Sequence, residues 1–162
     1  MVTAIITLVG ESDSGKTMVA TELIRILTEE GYRVAAVKHC PHGHDVDKEG
    51  SDTYRMALAG ASTVIAVSPN KVTKIERTES DLSLELIVKA LDGFDLVIAE
   101  GFRDNKTPKI LVQRSDGHPY TGPILTATAA VGDTGPFSAL TCFRFDEIPE
   151  LATYIRNRFL TS

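Results

Sequence analysis

The chain has 162 residues, 43% of them hydrophobic and 24% charged, with a formal net charge of −5. That length suits one domain with a real core rather than two, and the composition is that of an ordinary globular protein. The negative balance gives no general attraction to nucleic acid or an anionic membrane, and the absence of Trp argues against a stacking platform for single strands, so any phosphate binding has to be local.

Cys40 and Cys142 lie far apart and make no disulfide framework, which points to a reducing compartment. The amino terminus enters a strand pattern without a charged leader or cleavage signature, and the longest apolar run is too short to span a bilayer. The expectation is a cytoplasmic protein with a single nucleotide-binding domain over residues 1–162.

In chain order, "TAIITLV" at 3–9 is β-branched and continuously apolar, as in a strand buried on both faces of a parallel sheet. "GESDSGKT" follows, with the spacing G-x-x-x-x-G-K-[ST] of a phosphate-binding loop. Behind it Val19, Leu23, Ile26 and Leu27 fall on one helical face, and Gly31 ends the helix. "RVAAVKH" at 33–39 is a second strand, and after a polar loop Ser51 is placed to cap a short helix ending at Gly60.

"STVIAV" at 62–67 reads as a third strand, with a short extended piece expected at Val72 to Ile75. Asp81 is placed to cap a helix with Leu84, Ile87, Val88 and Leu91 on its apolar face, and Gly93 ends it. "FDLVIAEG", "PKILVQR" and "ILTATAAV" read as three more strands, and Ile148, Leu151, Ala152, Ile155 and Phe159 form a last helical stripe. This alternation predicts an α/β protein, a three-layer P-loop NTPase-like fold with a mainly parallel central sheet flanked by helices.

The loop residues Gly10, Glu11, Ser12, Asp13, Ser14, Gly15, Lys16 and Thr17 are the expected nucleotide cradle. Its glycines let successive N–H groups point at phosphate oxygens, Lys16 reaches the β- and γ-phosphates, and the Thr17 hydroxyl suits Mg²⁺. The positive end of the following helix adds to the attraction. In a parallel sheet the rest of a site gathers at the carboxyl ends of the strands. Glu100, ending an apolar strand, is the expected carboxylate of the Mg²⁺ shell, where an Asp is usual; the alternative is a surface acid.

The loop after the second strand carries Lys38, His39, Cys40, His42, His44 and Asp47. A transition-metal site on Cys40, His42 and His44 is one reading and a plain polar loop another. The favoured reading is a switch segment bringing Asp47 toward Mg²⁺ and the γ-phosphate, with Lys38 and His39 in reach of a phosphate. "PNKVT" at 69–73 begins like a guanine-reading motif but has Thr73 where the acid belongs. Asp133, beyond a late strand, is the better base reader, although an acidic turn before Gly135-Pro136 fits equally. Arg103, Lys106, Lys109 and Arg114 are either a solvated face or the receptor of a second phosphorylated ligand.

Taken together, "GESDSGKT", "VKH", "HDVDKEGSDTYRMALAGA", "DLVIAEGF" and "PKILVQR" resemble the molybdopterin-guanine dinucleotide biosynthesis protein B family, MobB, over most of residues 3–114. The resemblance implies a dimeric GTP-binding protein that assists the MobA guanylyltransferase in attaching GMP to molybdopterin. It implies Gly10 to Thr17 for the nucleotide, Glu100 near Mg²⁺ and Asp133 for the base. Met18 stands where a second Thr commonly follows the loop, and Arg103 where Lys is frequent. With no strong general base and no arginine finger in view, slow GTPase activity at most is expected. The rival expectations are a P-loop small-molecule kinase and a non-catalytic adaptor for the guanylyltransferase.

Overall fold

The computed structural model describes residues 3–44, 46–133 and 139–160. Along the chain it gives β1 (Ala4–Val9), α1 (Lys16–Glu29), β2 (Val34–Lys38), α2 (Asp52–Leu58), β3 (Thr63–Ser68) and β4 (Lys71–Glu76). Then come α3 (Leu84–Lys89), β5 (Leu96–Glu100), β6 (Lys109–Gln113), β7 (Ala127–Gly132), β8 (Thr141–Phe143) and α4 (Ile148–Ile155), which runs into a wider turn at Arg156–Leu160. The chain divides into two compact units, residues 1–39 with 84–162, and residues 40–83.

In the larger unit six strands form one sheet in the order β2-β5-β1-β6-β7-β8, and every pairing is parallel. The central strands are the continuously apolar ones, because both their faces are covered. On one face Ile6, Leu8, Leu96, Ile98, Ile110 and Val112 pack with Val19, Leu23 and Leu27 of α1 and Ile148, Leu151, Ala152 and Ile155 of α4. On the other, Val9, Leu111 and Ala130 are covered by Tyr120 and Leu140. The strand alternation assigns each residue to its face.

The apolar spacing predicts α1, and the helix buries Val19, Leu23 and Leu27. Its N-cap is Gly15, at φ 98°, with no side-chain cap, so its first N–H groups have no side-chain partner of that kind. β8 is absent from the sequence reading; three residues are too few to show a period.

In the smaller unit Ser51 caps α2 as expected, accepting from Tyr54 N at 3.1 Å. The "STVIAV" strand does not join the central sheet. It pairs antiparallel with β4 in a sheet of its own, since only Pro69 and Asn70 connect the two and a two-residue connection can form only a hairpin. The "PNKVT" stretch is therefore a hairpin turn and its second strand, not a base-reading loop.

Candidate nucleotide-binding site

The loop between β1 and α1 owes its shape to two glycines. A Cβ at Gly10 would lie 2.3 Å from Val112 O and 2.5 Å from Ser14 Oγ, so the chain passes too close to β6 for any side chain. Gly15 takes a left-handed conformation that non-glycine residues adopt only with strain. Asp13, at φ 58°, does adopt one, and the only other such described residue is Phe102, at φ 47° behind Glu100. Both strained positions therefore border the same strand ends, as is common at functional sites. Ser14, 5% exposed, is enclosed within the loop.

Lys16 folds back over this loop, its ammonium donating to Glu11 O at 2.6 Å and Gly10 O at 3.2 Å. Burial pulls its pKa below the ordinary lysine value, Glu100 and Glu11 opposing the shift and Arg103 and Lys38 adding to it. The Thr17 hydroxyl donates to Glu100 Oε2 at 2.9 Å, and Lys38 Nζ stands 3.4 Å from Glu100 Oε1. This meeting follows from the sheet: Leu8 of β1 and Lys38 of β2 both pair in register with Glu100 of β5. A hydroxyl and a carboxylate in contact are hard oxygen donors, the chemistry that suits Mg²⁺.

Arg103 also comes to the loop. Its guanidinium bonds Glu11 through both terminal nitrogens, at 3.1 and 3.4 Å, reaches Gly10 O at 3.4 Å and lies 5.4 Å from the centre of the Tyr120 ring. The Arg103 hydrogen bond holds the Glu11 carboxyl below its ordinary range. Lys106 is exposed, whereas Lys109 is only 2% exposed. The Lys109 ammonium donates to Asn105 O and to Thr126 Oγ1, where the β6–β7 register shifts. The basic run is thus divided: Arg103 braces the loop, Lys106 faces solvent and Lys109 is an internal strut. His39 continues β2 into its loop, its N–H donating to Glu100 O and its ring 4.9 Å from that of Phe102.

Asp47 belongs to the smaller unit, where Oδ1 accepts from Ser51 and Thr53, both at 2.9 Å, and the buried Oδ2 has no hydrogen-bond partner. His42 and His44 are exposed, and among the described residues no group of three His, Cys, Asp or Glu is placed to hold a metal ion. Asp133 is exposed immediately after β7; residues 134–138, including the Gly135-Pro136 of its alternative reading, lie outside the described residues.

Phe145 has no site role in the sequence reading, where Arg114 belongs to the basic run offered to a second phosphorylated ligand; both stand at the loop. A Cβ on Gly15 would stand 3.1 Å from the Phe145 ring and 3.5 Å from Arg114 Nε. The Arg114 guanidinium lies 5.1 Å from the centre of that ring, and its Nε is buried without a hydrogen-bond partner. Recognising β8 would have revealed Phe145, which follows it as Arg114 follows β6.

The parallel sheet, its strand order and the glycine loop between β1 and α1 define an α/β protein of the P-loop NTPase-like fold. The profile of Molybdopterin guanine dinucleotide synthesis protein B matches residues 5–131, and the chain belongs to this MobB family. It is 34% identical over 151 residues to the molybdopterin-guanine dinucleotide biosynthesis adapter protein of Haemophilus influenzae, covering 91% of this chain and 85% of the relative. To the adapter protein of Escherichia coli it is 35% identical over 112 residues, 66% of this chain and 64% of the relative. The crystal structure of Bacillus subtilis MobB superposes with a TM-score of 0.79 over 98% of this chain and 99% of that one; at 21% identity this is a likeness of fold. A crystal structure of a molybdopterin-guanine biosynthesis protein B gives 0.72 at 28% identity, over 94% and 98%.

Proposed function

We propose that this chain is an adapter of molybdopterin-guanine dinucleotide biosynthesis, a cytoplasmic protein that binds GTP with Mg²⁺ and assists a MobA-type guanylyltransferase in joining GMP to molybdopterin. Family membership supports the pathway, and one contact carries the nucleotide: the Thr17 hydroxyl on the Glu100 carboxylate at the mouth of the phosphate loop. In this reading the loop N–H groups and Lys16 hold the phosphates, while Thr17 and Glu100 hold the cation. Glu100 is already engaged by Thr17 and Lys38, which supports a switch or carrier with slow turnover rather than a fast hydrolase. Asp133 is the proposed guanine reader. The exposed cations Lys38 and Lys106 are the proposed receivers of a phosphate on the pterin, and buried Lys109 is left out of that set.

A homodimer is part of the proposal. In the smaller unit Ile65, Val67 and Val72 of the β3–β4 hairpin are 57, 74 and 67% exposed, an apolar surface that a second copy would cover. The test is the rate at which the guanylyltransferase forms the dinucleotide with GTP, Mg²⁺ and this chain added. Stimulation by the wild-type chain that is lost with Lys16→Ala is expected. Equal stimulation by both would remove nucleotide binding from the adapter role.

A further inference from the structure

Beside the phosphate loop, within the larger unit, lies a cleft of about 600 Å³. It runs along the first turns of α1, past Thr17, Met18 and Thr21, and is closed on the other side by Phe145, Ile148 and Pro149 at the start of α4. Its volume falls in the range of small-molecule sites, roughly 300–1,000 Å³. Thr17 belongs both to this cleft and to the proposed phosphate and cation site, so the two are continuous. We propose that the cleft is the nucleoside compartment of the bound nucleotide, in which a purine base stacks on Phe145 and packs against Met18.

The proposal rests on the phosphate-loop reading and extends it to the half of the ligand that the motif does not specify. Three observations place the base there. Met18 is 44% exposed on an α1 face that turns away from the core, so a large apolar side chain is left in water at the cleft wall. The Phe145 ring, half-buried against the core, lies beside Gly15 with the Arg114 guanidinium 5.1 Å from its centre, so it is held directly next to the loop.

Finally, Val131 of β7 pairs in register with Phe143 of β8. Two residues further on, Asp133 and Phe145 therefore leave neighbouring strands at the same sheet edge. A base lying on Phe145 would turn its edge toward Asp133, whose carboxylate accepts the paired N–H donors of guanine. Glu22 and Asp146 also line the cleft, each already paired with an arginine, Arg25 and Arg144, and their remaining lone pairs are the acceptors nearest a ribose. The departure from Thr at Met18 and the unforeseen strand β8 thus acquire one explanation.

The absence of Trp makes the test direct. In the full chain, Thr21→Trp fills the cleft from an exposed α1 position without adding charge, and Phe145→Trp keeps the ring while introducing the sole indole. Calorimetry uses GTP and inorganic tripolyphosphate, each with Mg²⁺. In Thr21→Trp, GTP should bind at least about tenfold more weakly, on the order of a lost base–aromatic stack, while tripolyphosphate binds within about twofold of wild type. In Phe145→Trp, GTP should quench the indole fluorescence and tripolyphosphate should not. GTP binding unaffected by Thr21→Trp, or equal quenching by both ligands, overturns the cleft assignment and leaves the phosphate loop standing. A wild-type chain that binds neither ligand overturns the phosphate-loop reading and this inference with it.

Discussion

In the proposed nucleotide complex Lys16 serves both the loop and its ligand. Its ammonium ties down two carbonyls of the loop, so Lys16→Ala removes a brace as well as the proposed phosphate contact. A charge-assisted hydrogen bond contributes roughly 1.5–3 kcal/mol, so nucleotide affinity measured by calorimetry should fall about ten- to a hundredfold. Retention within twofold would show that the loop is not used in this way. Arg103 and Glu11 act as a second brace with a defined pH signature. The Glu11 carboxyl is held below its ordinary value of 4.5 by Arg103, so this pair stabilises the fold above the unfolded-state pKa and is lost as pH falls through the lowered folded value. Both groups are partly exposed, so the effect is small, about 0.2–1 kcal/mol. Glu11→Gln should flatten the acid limb of the stability profile, and an unchanged limb in chemical unfolding would mean that the pair contributes nothing.

The segment from Glu100 to β6 shows what the pattern of residue types conveys and what it omits. Four cations in sequence read as one basic run, yet packing assigns them separate tasks. Lys109→Gln should lower stability by about 1–3 kcal/mol, because Asn105 O and Thr126 Oγ1 lose a charged donor in a buried place. Lys106→Gln should stay within about 0.5 kcal/mol, as exposed substitutions do. Denaturant midpoints for the two variants compare them directly, and equal losses would contradict the division of roles.

The parallel core was legible because its strands are buried on both faces and read as unbroken apolar runs. The Ser51 cap and the α1 stripe were legible for similar local reasons, and the meeting of Thr17 with Glu100 from the rule that a parallel sheet gathers its site at the carboxyl ends of its strands. The hairpin was not, since a strand propensity does not say which sheet a strand joins; the two-residue turn decides that. The inward turn of Lys109 and the approach of Phe145 to Gly15 depend on contacts between distant segments, which no local pattern encodes.

The exposed apolar residues of the hairpin make a specific prediction: Val67→Asp should shift a dimer toward monomer in sedimentation, with the fold retained because Val67 is already 74% exposed. A wild-type chain that sediments as a monomer at high concentration would remove the dimer from the proposal. Among the described residues no helix is long and apolar enough to cross a membrane. The central claim is that a MobB-family chain uses its glycine loop, Thr17 and Glu100 to hold GTP with Mg²⁺. Titration calorimetry of the wild-type chain with GTP, GDP and ATP, each with and without Mg²⁺, tests it most directly. The account predicts saturable GTP binding that strengthens with Mg²⁺ and exceeds ATP binding; no binding of any nucleotide, or a preference for ATP, would contradict it.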